Sequence, residues 1–102
     1  MSTLLNNVGA PNITEQSIIV ATPNQVSSTL GEEAVILDLE QGEYYGLDEV
    51  GALIWNSIQQ PATVAAICAA VMAEYDVEPA ECEADVIALV SELHSAGLVE
   101  VK

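Results

Sequence analysis

Chemistry at neutral pH needs a base, a nucleophile or a metal ligand, and this 102-residue chain offers few. It holds one histidine, His94, two cysteines, Cys68 and Cys82, and sixteen carboxylates. A Ser–His pair, a neutral-pH general base or a zinc site would call on His94. His94 stands one turn before Gly97, at the end of a helix-like segment, where an imidazole interacts well with the helix dipole. Cys68 and Cys82 lack the CxxC spacing of a zinc site. Cys68 reads as an inert core residue and Cys82 as the more exposed of the two. Glu32-Glu33 and Glu81-x-Glu83-x-Asp85 read as solvated faces. No DxDxDG calcium loop and no phosphate-cradling GxxxxGK[ST] or GxGxxG occurs. Ser57 and Ser91 fall inside helix-like segments, without the Asp-Ser-Leu setting of a carrier-protein serine. The expectation is a chain with no catalytic set, no metal and no cofactor.

The charge balance narrows the partners. Sixteen Asp and Glu stand against one basic residue, Lys102, for a net charge of −15. Nucleic-acid binding depends on Lys and Arg displacing counterions from phosphate, so it is excluded. An anionic membrane surface is excluded on the same ground. Salt bridges cannot hold such a chain, and apolar burial must do so against self-repulsion. Half of the residues, 51%, are hydrophobic, too many for disorder. The first residues lack a basic region and a long apolar run, so no signal peptide is read and a cytoplasmic, reduced protein is expected. A nucleic-acid mimic or an acidic scaffold remains the rival reading. Regularly spaced surface carboxylates would favour the mimic, and residues 50–73 contain none.

The elements that must position any site follow from the periodicity. Residues 1–14 read as a flexible tail and residues 15–102 as one folded domain. Residues 17–22 are β-branched and short, a strand that Pro23 breaks. Residues 26–30 form a second short strand or a bent extension of the first, and Gly31-Glu32-Glu33 a turn. Residues 34–39 alternate, with Val35, Leu37 and Leu39 on one face and Asp38 on the other. Gln41-Gly42 signals a hairpin into a strand over residues 43–47. From Asp48 the period becomes helical, with Asp48 as N-cap and Pro61 as the stop. Thr63 caps a second helix, and Pro79 opens a third that Gly97 closes. Residues 98–101 are extended. Strands followed by helices predict an α+β, winged-helix-like fold, a three-stranded antiparallel sheet followed by a three-helix bundle.

The strand over residues 43–47 is last in this meander, hence an edge. An edge offers unpaired N–H and C=O groups to another strand and is usually blunted by Lys or Pro. Only Glu43 protects this one. Alternation puts Glu43, Tyr45 and Leu47 on one face and Tyr44 and Gly46 on the other. At least one tyrosine is expected to fill the core while the backbone edge accepts a peptide.

These residues resemble a known family. Gly42-Glu43-Tyr44-Tyr45-Gly46-Leu47-Asp48-Glu49-Val50-Gly51-Ala52-Leu53-Ile54-Trp55 is similar to the strand-to-helix junction of the PqqD-like proteins. Pro61-Ala62-Thr63-Val64, Tyr75-Asp76-Val77, and Asp85-Val86 with Leu89, Leu93 and Gly97-Leu98-Val99 resemble the family's later motifs. The resemblance covers residues 17–101. Asp48 departs from the pattern, since many relatives carry Asn there; either residue caps a helix. The resemblance implies a RiPP recognition element, a non-catalytic domain that binds the leader of a ribosomally made precursor peptide. The leader would add as an antiparallel strand along Glu43, Tyr44, Tyr45, Gly46 and Leu47. Asp85, Val86, Leu89 and Glu92 of the third helix would form the other wall. The implied partners are the precursor leader and a leader peptidase, cyclase or radical-SAM enzyme. The pathways of the family include pyrroloquinoline quinone and lasso peptides. The protein would act as a monomer or a strand-exchanged dimer.

Overall fold

The computed structural model describes residues 12–102. Strands β1 (Ile18–Ala21), β2 (Gln25–Leu30), β3 (Glu33–Asp38) and β4 (Tyr44–Leu47) precede helix α1 (Glu49–Ser57). The short strand β5 (Ala62–Thr63), helices α2 (Val64–Glu74) and α3 (Pro79–Ser95), and strand β6 (Val99–Val101) follow. The expected meander exists as the antiparallel sheet β2-β3-β4. With the three helices it makes the α+β, winged-helix-like architecture read from the sequence.

The first strand differs from that reading. β1 leaves the meander and lies between β5 and β6 in a second antiparallel sheet. The cause lies at its end. The Thr22 N–H donates to the Leu98 carbonyl (2.9 Å) and its hydroxyl to the Gly97 carbonyl (3.0 Å). Gln25 Nε2 then donates back to the Thr22 carbonyl (2.7 Å), turning the chain past Pro23. β1 ties the two ends of the helical part together. Its Ala21 N–H donates to the Ile58 carbonyl at the end of α1, and the Val64 N–H at the start of α2 donates to the Ser17 carbonyl. Residues 26–30 are therefore no extension of β1 but most of a strand of their own. β2 pairs along the whole of β3, from Gln25 opposite Asp38 to Leu30 opposite Glu33. Its two-residue turn starts at Gly31 with φ +65°, as the mirror-image turns of hairpins require.

β3 buries the face that carries Asp38. Ala34, Ile36 and Asp38 point inward, Val35 and Leu37 are half-buried on the other side, and Leu39 is exposed. A carboxylate 3% exposed is tolerated because it organises the next turn. Asp38 Oδ1 accepts from the Glu40 N–H (2.9 Å) and the Gln41 N–H (3.3 Å). The Asp38 carbonyl accepts from the Gly42 N–H (2.8 Å), with Gly42 at φ +70°. The outer face of this sheet leaves Val26, Leu30 and Tyr44 exposed.

The helices begin and end as their local chemistry dictates. Asp48 Oδ1 accepts from the Gly51 N–H (2.8 Å) and Thr63 Oγ1 from the Ala66 N–H (3.1 Å), so both caps satisfy an orphan donor of the first turn. Pro79 takes the first position of α3. At its other end Leu98 N–H reaches the Leu93 carbonyl and Gly97 N–H the His94 carbonyl. With Gly97 at φ +79° this is a Schellman closure, and it aims the chain into β6. Ile36, Ile54, Trp55, Ile67, Val86 and Val90 meet in one core between sheet and helices. Of the expected tail, residues 1–11 lie outside the described residues, while Ile13 packs against this core.

Both cysteines are buried, Cys82 as fully as Cys68, which corrects the exposure expected for Cys82. Cys82 is on the face of α3 that meets α2, and its thiol donates to the Cys68 carbonyl (3.8 Å). Burial, and then the neighbouring Cys82, pushes the Cys68 thiol up from 9.0 to about 11. Folding therefore opposes ionisation of this thiol. Its contribution to stability is complete below pH 9 and is lost as pH rises through about 11. Denaturant unfolding at pH 7, 9 and 10.5 should show this decline, and Cys68→Ala should make it shallower. Identical slopes in both proteins would refute the assignment.

Candidate functional site

β4 is an edge strand, and its free side follows from the register. Leu37 pairs with Tyr44, Ile36 with Tyr45, Val35 with Gly46 and Ala34 with Leu47. Beyond these, the Asp38 N–H donates to the Glu43 carbonyl (2.8 Å). Hydrogen-bonded pairs alternate with non-bonded ones in an antiparallel ladder. Glu43, Tyr45 and Leu47 therefore turn their backbone groups toward β3. Tyr44 and Gly46 turn theirs outward, and among the described residues no strand lies beyond them.

A groove runs along this edge against α3. One cavity of about 340 Å³ is lined by Tyr44, Tyr45, Gly46, Leu47, Leu89, Glu92 and Leu93. The adjoining cavity, of about 420 Å³, shares Gly46, Leu47 and Leu89 and adds Asp48, Val50, Gly51, Ile54 and Asp85. Tyr44 thus lies near Glu92, and Asp48 near Asp85. β4 and α3 run in opposite directions along the groove. Asp85, Leu89 and Glu92 are spaced four and three residues apart, so they form one stripe of α3 facing the strand.

Local packing brings the end of β4 close to α1. Gly51 belongs to the first turn of α1, where glycine costs up to about 1 kcal/mol relative to alanine. A Cβ there would lie 3.2 Å from Leu47 Cβ and 3.4 Å from Asp48 Oδ1. Glycine lets Leu47 settle on α1 while Asp48 caps it. Tyr45 and Leu47 face inward and are half-buried, and Tyr44 is 72% exposed. The alternation expected of the two tyrosines is therefore present, with Tyr45 as the one that packs on the core.

Most of the residues singled out in the sequence come together here. Tyr44, Tyr45, Gly46, Leu47, Asp85, Leu89 and Glu92 line the groove. Glu43 lies outside its lining, exposed, and accepts a hydrogen bond from the Tyr45 hydroxyl (3.0 Å). Val86 is 1% exposed and belongs to the core. It borders a small cavity of about 90 Å³ beneath the groove, with Val50, Ile54, Val71, Val77, Cys82 and Asp85. The sequence reading did not place Asp48, Val50, Gly51, Ile54 or Leu93 in the groove. Val50 and Ile54 were legible as one face of α1, four residues apart, but which side of β4 that face meets depends on the junction angle at Asp48.

The electrostatics are one-sided. Asp48, Asp85 and Glu92 reach the groove, and the chain's single basic residue, Lys102, follows β6 in the other sheet. The bond to Glu43, followed by burial and the charges of Glu43 and Asp38, raises the Tyr45 phenol above its ordinary 10.0. His94 is half-buried in the last turn of α3. Among the described residues no group of three His, Cys, Asp or Glu side chains is placed to hold a metal ion. No helix among them is long and apolar enough to cross a membrane. The groove sets an open strand edge beside an apolar and acidic wall.

Comparison with known proteins gives three findings. Residues 33–99 match the family model described as coenzyme PQQ synthesis protein D (PqqD). The structure resembles TbiB1 in complex with the TbiA(beta) leader peptide, at TM-score 0.74 and 32% identity over 79% of this chain and 94% of that one. It also resembles lasso peptide synthetase B1 complexed with the leader peptide, at TM-score 0.71 and 28% identity over 80% of this chain and 96% of that one. No curated protein sequence matches.

The Tyr45–Glu43 contact is directly testable. Glu43→Ala removes first the hydrogen bond and then the carboxylate charge that hold the phenol protonated, so the Tyr45 pKa should fall toward 10.0. An NMR titration of the Tyr45 ring carbons checks this, and an unmoved midpoint would show that the contact does not govern the phenol.

Proposed function

The chain belongs to the PqqD family, and we propose that it binds the leader of a ribosomally made precursor peptide as an added strand along β4. The observation that carries this reading is the open edge itself. Tyr44 and Gly46 offer outward N–H and C=O groups beside a groove walled by α3. An extended peptide there makes main-chain hydrogen bonds that any sequence can form, and its alternate side chains enter the groove and are read by it. The two structural relatives complexed with leader peptides support the same occupant. The leader runs antiparallel to β4, hence in the same direction as α3.

The role is binding rather than catalysis. Holding the leader keeps the core peptide close to a processing enzyme, a leader peptidase, cyclase or radical-SAM enzyme. Tethering of this kind raises local concentration to the millimolar range for short flexible connections. The likeness to a lasso peptide synthetase B1 favours a lasso-type pathway.

The register selects the test. Proline at Tyr44 removes an outward N–H, at the first residue of an edge strand, where proline is tolerated. Tyr44→Pro should keep the apo fold but bind the leader peptide encoded beside this chain about tenfold more weakly than Tyr44→Ala, by calorimetry. The wild-type complex should shift the amides of residues 44–47 and of α3 most. Equal binding by the proline and alanine variants would refute strand addition.

A further inference from the structure

We infer that the groove selects a cationic leader, one that sets an apolar side chain over Leu89 and places Lys or Arg opposite Asp85 and Glu92. This rests on the leader-binding reading above and deepens it. The groove-facing stripe of α3 has an apolar centre and a carboxylate on either side, Asp85–Leu89–Glu92. Leu47 supports the same centre from β4, and Ile54 from α1. The one Lys or Arg among the described residues is Lys102, which follows β6 in the other sheet.

An incoming strand covers these carboxylates and strips part of their water. Covered and unpaired charge is costly, and cationic side chains offset that cost. An acidic peptide would meet both the local carboxylates and the −15 net charge. The same field speeds the approach of a cationic peptide.

The spacings agree. On α3, Asp85 to Leu89 spans about 6 Å and Leu89 to Glu92 about 4.5 Å along the axis. Alternate residues of a strand advance about 6.8 Å. A leader running with α3 therefore faces Asp85 with one side chain, Leu89 with the next on that face, and Glu92 with the third. The mismatch accumulated by the third position is about 3 Å, within the reach of a flexible Glu–Lys or Glu–Arg pair. The pattern is basic-x-apolar-x-basic, with its N-terminal cation at Asp85. Asp48 is already engaged, since it caps α1.

Calorimetry on the full chain with the leader peptide encoded beside it tests the pairing. Asp85→Asn and Glu92→Gln should each weaken binding about threefold in 50 mM NaCl, and together about tenfold, in the range of exposed ion pairs. The differences should shrink in 500 mM NaCl, where screening is stronger. A leader with its groove-facing cation changed to Gln should lose affinity for the wild type but little for the matching variant. Unchanged apo amide spectra would exclude misfolding. Wild-type binding matched by the double variant overturns the charge pairing and leaves strand addition standing. Absence of wild-type binding overturns both.

Discussion

Apolar burial is the interaction on which everything else here depends, because the composition removes the alternative. Sixteen carboxylates and one lysine cannot be organised into ion pairs. The sheet and three helices meet instead through Ile36, Ile54, Trp55, Ile67, Val86 and Val90. Trp55 shows how far this term dominates. It is 1% exposed, and its Nε1 has no hydrogen-bond partner. An unsatisfied buried donor costs about 1–3 kcal/mol. Burying an indole removes on the order of 200 Å² from water, worth about 5 kcal/mol, so burial wins.

That economy leaves the carboxylates other than the buried Asp38 toward the outside, and it leaves β4 unpaired at its edge among the described residues. The chain turns from Leu47 directly into α1, capped by Asp48, and no further strand among the described residues closes the sheet. α1 comes close to β4 because residue 51 is glycine. α3 approaches from the far side, and Leu89 is its central residue on the groove. The groove is therefore a product of the core packing, and its rim carries the charge that the core excludes.

A site of this kind needs no activated group. In the proposed strand addition, backbone pairing supplies affinity with little regard to sequence, and selectivity falls to the few side chains that line the groove. The charge agrees with the proposed peptide partner: the field of so acidic a chain opposes nucleic acid and attracts cationic chains. The exposed Val26, Leu30 and Tyr44 on the outer sheet face show that the chain is not covered by charge everywhere.

Much of this was legible from residue types and spacing alone. The three helices, their caps at Asp48 and Thr63, the Gly97 stop and the edge character of residues 44–47 all rest on local chemistry, which acts within a turn or a strand. So did the absence of a basic surface, a matter of counting. Tertiary structure decided what depends on distant partners. β1 left the meander because its bonds go to residues 62–63 and 97–102, some forty and eighty positions away. β3 buried its Asp38 face because the turn at residues 39–42 satisfied the carboxylate, which alternation cannot reveal. Val86 lies wholly in the core, and Leu93, itself only 3% exposed, borders the groove, because the rotation of α3 is set by what it packs against. Periodicity identifies a face, but the neighbour that the face meets is fixed only when the whole core closes.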